Sequence, residues 1–493
     1  MKSCFPTIIL ALLAAASISC ATKIEDVPAP IAMPPAFSAT GDAFLPDRWW
    51  EDFNDPALDA LVEKALTENF SLRSTWDRLA QANALVRRSG AGLWPTLDLS
   101  GGAEERWSRV DRTNPATGNT SRETINSDPW SLGLAARYEV DLWGRIRSER
   151  NAALLDLQAT ESDIHSAAIS LSANVARTWY QFQEQQEQIA LLDEQIETTR
   201  DTLQVIESRF KRGSAPASDV LQQRQLLESR FEERERAVSE LERLRIALAV
   251  LTGAEPVDYQ IDAGAGLVTL PPLPATGIPA ERVTLRPDVR SAYLGVQSAD
   301  QELAAAIANR YPQLTLTGSF SDSDDRLEDL FENWVAVLAA DLVVPVLDGG
   351  ARRAEVDRSR AVAAERFHLY AQQLLEALGE VEDALVAERH QRAVVESIEK
   401  QLVLSRQVTE RIRAEYIGGR SEFLRVLDAQ QSQQSLERDL LSARQQLLGF
   451  RIDLCRALSA GWDLQEPSVP PPGDGGPDMN YPLPIPVPAG VAS

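Results

Sequence analysis

Apolar or small residues recur every three or four positions along one stretch of this chain: Ile189, Leu192, Ile196, Thr199, Leu203, Ile206 and Phe210. The same rhythm returns 206 residues later at Val395, Ile398, Leu402, Ser405, Thr409, Ile412 and Tyr416. A mean spacing of about 3.5 residues keeps one helix face turned to a partner, the mark of a coiled-coil seam. The offset also maps Val175 on Val381, so the chain reads as an internal duplication. Both seams stop at a glycine-broken turn, "RFKRGSAPASDVLQQRQ" from Arg209 and "EYIGGRSEFLRVLDAQQ" from Glu415. Gly213 and Gly419 follow an aromatic (Phe210, Tyr416) by three residues and precede Leu221 and Leu427 by eight. The pattern predicts helices over 145–210 and 351–416, each of 66 residues and hence about 100 Å long. Helices about half that length are expected over 219–251, 422–458, 56–89 and 287–310, with Pro56 and Pro287 suited to a first turn. Two short helices end to end match one long one, so each half supplies two full-length rods.

A period of two interrupts each half. "WPTLDLSGG" from Trp94 and "YPQLTLTGSF" from Tyr311 alternate apolar and polar residues after an aromatic-Pro pair. Farther on, Trp130, Leu132, Leu134, Ala136, Tyr138, Val140 and Leu142 alternate with polar or small residues. Trp334, Ala336, Leu338, Ala340, Leu342 and Val344 do the same in the second half. Alternation of this kind predicts strands with one apolar face, joined by polar connections into hairpins over 94–142 and 311–347. Strands of about ten residues can cross a bilayer when tilted, and Trp130, Trp334 and Tyr138 suit its interfaces. A soluble sheet would carry the same alternation. Four strands cannot close a barrel, and open edges cannot sit in lipid. A membrane reading therefore requires two or three chains sharing eight or twelve strands.

Composition narrows the class. The 493-residue chain is 44% hydrophobic with 6% aromatics, a bias toward long helices over a compact catalytic core. Its formal charge of −24 argues against nucleic acid and anionic lipid surfaces as partners. Lys2, the apolar run "TIILALLAAA" and "SISC" describe a secretory signal over 1–19, with Cys20 at the cleavage point as the lipidation candidate. Ser17 stands where such lipobox sequences usually have Leu. Cleavage there leaves Cys455 as the one free thiol, expected to be a small buried hydrophobe. His165, His368 and His390 lie singly in helical stretches. No catalytic constellation, metal spacing or cofactor motif stands out. The Pro- and Gly-rich tail, 462–493, reads as extended or disordered. A secreted coiled-coil scaffold, or a pump adaptor, would explain the heptads but not two bilayer-length hairpins. A coiled-coil-regulated cell-wall hydrolase would need a catalytic site.

"WWEDFNDPALDALVEKAL", "VDLWGRIRSE", "LRPDVRSA" followed by "YPQLTLTG", and the two turns resemble the outer membrane factor family, the TolC-like outer-membrane efflux channels, in its lipoprotein branch. The resemblance covers nearly the whole mature chain. It implies a mixed α/β membrane protein: a homotrimer with a 12-stranded transmembrane β-barrel, continued by a coiled-coil α-helical barrel through the periplasm, with an equatorial domain. On that plan 20–55 is a lipidated segment entering the equatorial part, 56–253 and 287–461 are the repeats, and 254–286 is the equatorial linker. The function implied is the passive exit duct of a tripartite efflux or export system. Its partners would be a periplasmic adaptor (membrane fusion) protein, an inner-membrane transporter and outer-membrane lipid, with a palmitate-type acyl group on Cys20. By motif position, Gly213 and Gly419 mark the periplasmic tips and Asp428 rings the constriction. Tyr416 and Asp219 match partners of a hydrogen bond that holds the tip closed. Arg425 stands where some members have a second acidic residue, and Ser421 where some have Arg, which implies a less acidic, more weakly locked gate.

Overall fold

The computed structural model describes residues 30–464, apart from 114, 116, 117, 119, 128, 262, 263, 265 and 330. The signal segment, Cys20 and nearly all of the tail lie outside the described residues. The segment expected as one helix over 56–89 folds as two, α1 (Pro56–Glu68) and α2 (Phe70–Ala91). Between them Asn69 is extended, with ψ 121°. Its side-chain oxygen accepts the Leu72 N–H at 3.0 Å, and its amide donates to the Leu251 carbonyl at 2.9 Å. The cap that starts α2 is thereby tied to a residue far along the chain, and the tie fixes the break. Asp55 starts α1 by accepting from the Ala57 and Leu58 N–H groups. Its second oxygen takes the Trp179 indole N–H at 2.7 Å.

The first hairpin holds four strands: β1 (Thr96–Ala103), β2 (Arg106–Thr113), β3 (Thr120–Ser127) and β4 (Trp130–Val140). The stretch 110–128, expected as a polar connection, thus belongs largely to a two-stranded ribbon, β2 against β3. Arg122 pairs with Asp111 across it, and the Thr113 and Thr120 hydroxyls meet at 3.0 Å. The second hairpin is β5 (Gln313–Asp324) and β6 (Val335–Val343). One antiparallel sheet runs β1-β4-β5-β6, so the two hairpins lie side by side and β1 and β6 are its open edges. The register puts Leu99, Leu134, Phe320 and Ala336 in one row, and Leu97, Ala136, Gly318 and Leu338 in the next on the same face. Asp98, Ser100, Arg137, Thr317 and Ser319 occupy the opposite face by alternation. All eight residues of β1 are exposed, as are all nine of β6. At the sheet's helical end Trp143 donates to the Pro312 carbonyl at 2.8 Å and stacks on Tyr311, stitching the hairpins together.

The long helices are α3 (Arg145–Lys211) and α7 (Ala351–Ile417), both of 67 residues and offset by 206. Their returns are α4 (Ala217–Leu251) and α8 (Phe423–Leu458). Between the halves lie α5 (Pro279–Leu285) and α6 (Pro287–Ala308). Both α2 and α6 have 22 residues, but there the offset is 217, because the first half carries the longer hairpin. Gly144 and Gly350, both left-handed, precede the long helices. Asp141 and Asp348 supply the missing cap by accepting helical N–H groups from Arg147 and Arg352. Among the described residues no helix is long and apolar enough to cross a membrane.

Midway along the rods, the stretch around Ala43 runs beside Pro274, with the Ala275 N–H donating to the Ala43 carbonyl at 2.8 Å. Arg451 of α8 lies buried beneath this strap. It makes two bonds to Glu388 of α7, at 2.8 and 2.7 Å, and donates to the Pro271 and Pro272 carbonyls. Next to it in α8, Cys455 is buried, which pushes its thiol up to about 12. On the other side Trp49, Trp50, Phe53 and Tyr180 form an aromatic cluster that pins the segment before α1 to α3.

Candidate functional site

The two turns close in the same way. Gly213 (φ 70°) donates to Phe210 and Ser214 donates to Arg209; Gly419 (φ 71°) donates to Tyr416 and Arg420 donates to Glu415. These are the paired bonds of a helix ending in a left-handed residue, where a side chain is strained and glycine is not. Nothing lies within 4 Å of a Cβ built on either glycine, so backbone angle alone dictates the residue.

Behind the turns, Ile206, Val220, Leu226, Phe423, Val426 and Leu427 form one buried cluster that joins the two helix pairs. Tyr416 packs on its rim, with its ring 5.6 Å from that of Phe423. The Arg209 guanidinium sits 4.5 Å from the Tyr416 ring centroid, a cation–π contact between α3 and α7. The sequence reading missed Arg209; its repeat counterpart is Glu415, and that charge reversal is the one signal it offers. The expected hydrogen bond between Tyr416 and Asp219 is absent among the described residues. Asp219 accepts instead from Ser218 at 3.3 Å, and Arg209 covers the tyrosine ring. The two still lie close enough to interact by charge. Burial raises the Asp219 carboxyl above its ordinary value; the Ser218 hydrogen bond opposes this and the nearby Glu422 adds to it. Burial likewise raises the Tyr416 phenol, against the pull of Arg209.

Asp428 and Arg425 lie on the exposed face of α8, opposite buried Phe423, Val426 and Leu427. Arg425 is the repeat counterpart of Asp219, so the first turns of α4 and α8 carry opposite charges at one position. The Ser421 hydroxyl is buried without a hydrogen-bond partner among the described residues. The structure therefore gathers Gly213, Gly419, Tyr416 and Asp219 around one cluster, and leaves Asp428 and Arg425 on the exposed face of α8. Among the described residues no group of three or more His, Cys, Asp or Glu could hold a metal ion.

Long duplicated rods that end in matched turns and carry an open, apolar-faced sheet match known proteins. The profile described as "Outer membrane efflux protein" covers residues 61–254 and 281–460. The chain belongs to the outer membrane efflux protein family. It is 30% identical over 423 residues to the pyoverdine export outer membrane protein OpmQ of Pseudomonas aeruginosa, covering 84% of this chain and 87% of that one. The outer membrane protein OprJ of the same organism is also 30% identical, covering 84% and 86%. The solved outer-membrane channel OprN superposes with a TM-score of 0.81 at 25% identity, over 89% of this chain and 98% of that one. The MtrE channel of Neisseria gonorrhoeae, solved in its open state, gives 0.75 at 26%, over 90% and 99%. The outer membrane efflux protein family is one of ducts and not an enzyme family, which favours the channel over the scaffold and hydrolase alternatives.

Proposed function

We infer that this outer membrane efflux protein is the exit duct of a tripartite export system, conducting solutes passively from the periplasmic side to the exterior. One observation carries the reading: an antiparallel sheet with an apolar face and two unpaired edges continues into helical rods of about 100 Å. Unpaired edges in lipid would leave backbone groups without partners, so the strands must close with those of other copies. Three copies give a twelve-stranded barrel, and their rods continue it as a helical tunnel through the periplasm. OpmQ is named for pyoverdine export and OprJ as an outer membrane protein; on this reading the present chain works with a periplasmic adaptor and an inner-membrane transporter. The waist formed by segments 30–55 and 254–286 then belts the tunnel, and the two glycine turns form its periplasmic tip.

The tip contacts supply the test. Tyr416→Ala removes the ring that Arg209 and Phe423 hold, and single-channel conductance in planar bilayers is expected to rise severalfold. Tyr416→Phe keeps the ring and is expected to stay near wild type. Asp428→Ala is expected to weaken block by divalent cations, since a ring of three carboxylates attracts them. Absence of any channel would sink the duct itself; unchanged conductance in folded Tyr416→Ala would sink only the gate.

Cys20 is the proposed lipid anchor, outside the described residues. An acyl group adds hydrophobic anchoring to that of the barrel. Mass spectrometry of the mature N-terminal peptide is expected to find Cys20 acylated, and an unmodified terminus beyond Cys20 would exclude the anchor.

A further inference from the structure

The apices of the two glycine turns reverse the charge of the chain. Over 211–218 and 417–425 stand Lys211, Arg212, Arg420 and Arg425 against one acid, Glu422. The sum is +4 − 1 = +3, in a chain whose formal charge is −24. All four cations are exposed, and none enters an ion pair among the described residues. Along the rods, by contrast, exposed arginines pair with an acid one turn away, as Arg236 does with Glu232 and Arg358 with Glu355. The acids nearest the turns are already engaged, Glu207 by Arg224 and Glu415 by Arg411.

Helix stability explains only part of this pattern. Lys211 closes α3, where the helix dipole favours a cation. Arg425 is the third residue of α8, where the dipole favours an acid. At the same position of α4 stands Asp219, as that preference demands. The first turn of α8 holds no acid, and no ion pair offsets the arginine. The Arg425 charge therefore works against the helix that carries it. Asp428, one turn farther along α8, lowers the sum to +3 − 1 = +2 and leaves the sign unchanged. The positive sign is local to the tip: the connection between β5 and β6 carries six acids and one arginine over 322–332.

We propose that the tip selects anionic solutes. Three copies place Lys211, Arg212, Arg420 and Arg425 of each around the periplasmic entrance, where they concentrate cargo bearing carboxylate, phosphate or sulfonate groups. Rings of basic side chains favour anions in a pore, and fixed charge at a mouth raises the local concentration of counter-ions. At physiological salt each charge acts over about 8 Å, so the selection is made at the rim. The inference rests on the assembled duct of the preceding section and adds the class of its substrate.

Reversal potentials in planar bilayers under a KCl gradient test it on the full-length protein, with chloride against potassium as the probe. Protein added to one chamber inserts barrel first, because the charged rods do not cross lipid, and its tips face that chamber. With the dilute solution on that side, wild-type channels are expected to pass chloride severalfold better than potassium. The preference is expected to vanish near 1 M salt, where the Debye length is about 3 Å. Lys211→Glu with Arg212→Glu changes the rim from +3 to −1 per copy and is expected to reverse the preference. Lys211→Arg with Arg212→Lys keeps the charge and is expected to keep the preference. Arg425→Glu, which suits the helix dipole, is expected to weaken the preference without loss of folded channel. Channels that prefer potassium, or whose preference the Lys211→Glu, Arg212→Glu pair leaves unmoved, overturn the selectivity and leave the duct standing. Absence of any conductance overturns the duct and the selectivity with it.

Discussion

Replacing Arg451 by alanine is expected to destabilise the protein by about 3 kcal/mol, toward the lower end of what removing one partner of a buried ion pair costs. Arg451 and Glu388 are 1% and 3% exposed, and the guanidinium reaches both carboxylate oxygens and two carbonyls of the strap. Its loss leaves the Glu388 charge in a buried site with Arg392, itself largely exposed, as the remaining ion-pair partner. The Pro271 and Pro272 carbonyls lose their guanidinium donor as well. The double variant Arg451→Met with Glu388→Leu removes charge and partner together and is expected to recover much of the loss. Thermal denaturation of the detergent-solubilised protein compares the two. A single variant no less stable than the double would show that the pair does not hold the strap.

Leu338→Arg is expected to reduce outer-membrane insertion severely, at a cost of about 2–4 kcal/mol for a cation near the bilayer midplane. Leu338 lies at the middle of β6, is 93% exposed, and shares its face with Leu97 and Leu99. Ser319→Arg introduces the same charge on the opposite face of β5, where Arg137 and Thr317 already lie, and is expected to insert normally. The assay is the amount of each protein in outer-membrane fractions. Equal insertion of both variants would mean that the leucine face does not meet lipid.

Features with local causes were legible in the sequence. A seam repeating every 3.5 residues predicted α3 and α7 to within one residue, because periodic burial and a terminal glycine act over a few turns. The strands of the main sheet followed from one apolar face. The ribbon of β2 and β3 did not, since its sequence has no regular apolar alternation for a period-two reading to detect. The break at Asn69 also escaped, because its amide is held by the carbonyl of Leu251, a contact no window of sequence contains. Arg209 over Tyr416 belongs to the same class: it joins residues from different halves. The glycines and Tyr416 could be located by their repeat, but not the partners the fold would bring to them.

The pairing of β4 with β5 has a consequence for how the chain reaches its final form. Val140 lies opposite Leu314, with the first pair of long helices and the linker between them, whereas β5 and β6 are separated only by a short connection. For a flexible chain, closing the longer loop costs on the order of 2 kcal/mol more in entropy than closing the shorter one. Once α3 has folded back through its glycine turn onto α4 and α6, that cost is already met, and β5 emerges beside β4. Local helix contacts form quickly and distant strand pairings slowly. The order of events is therefore built into the connectivity: rods first, then hairpins, and the union of the two hairpins last.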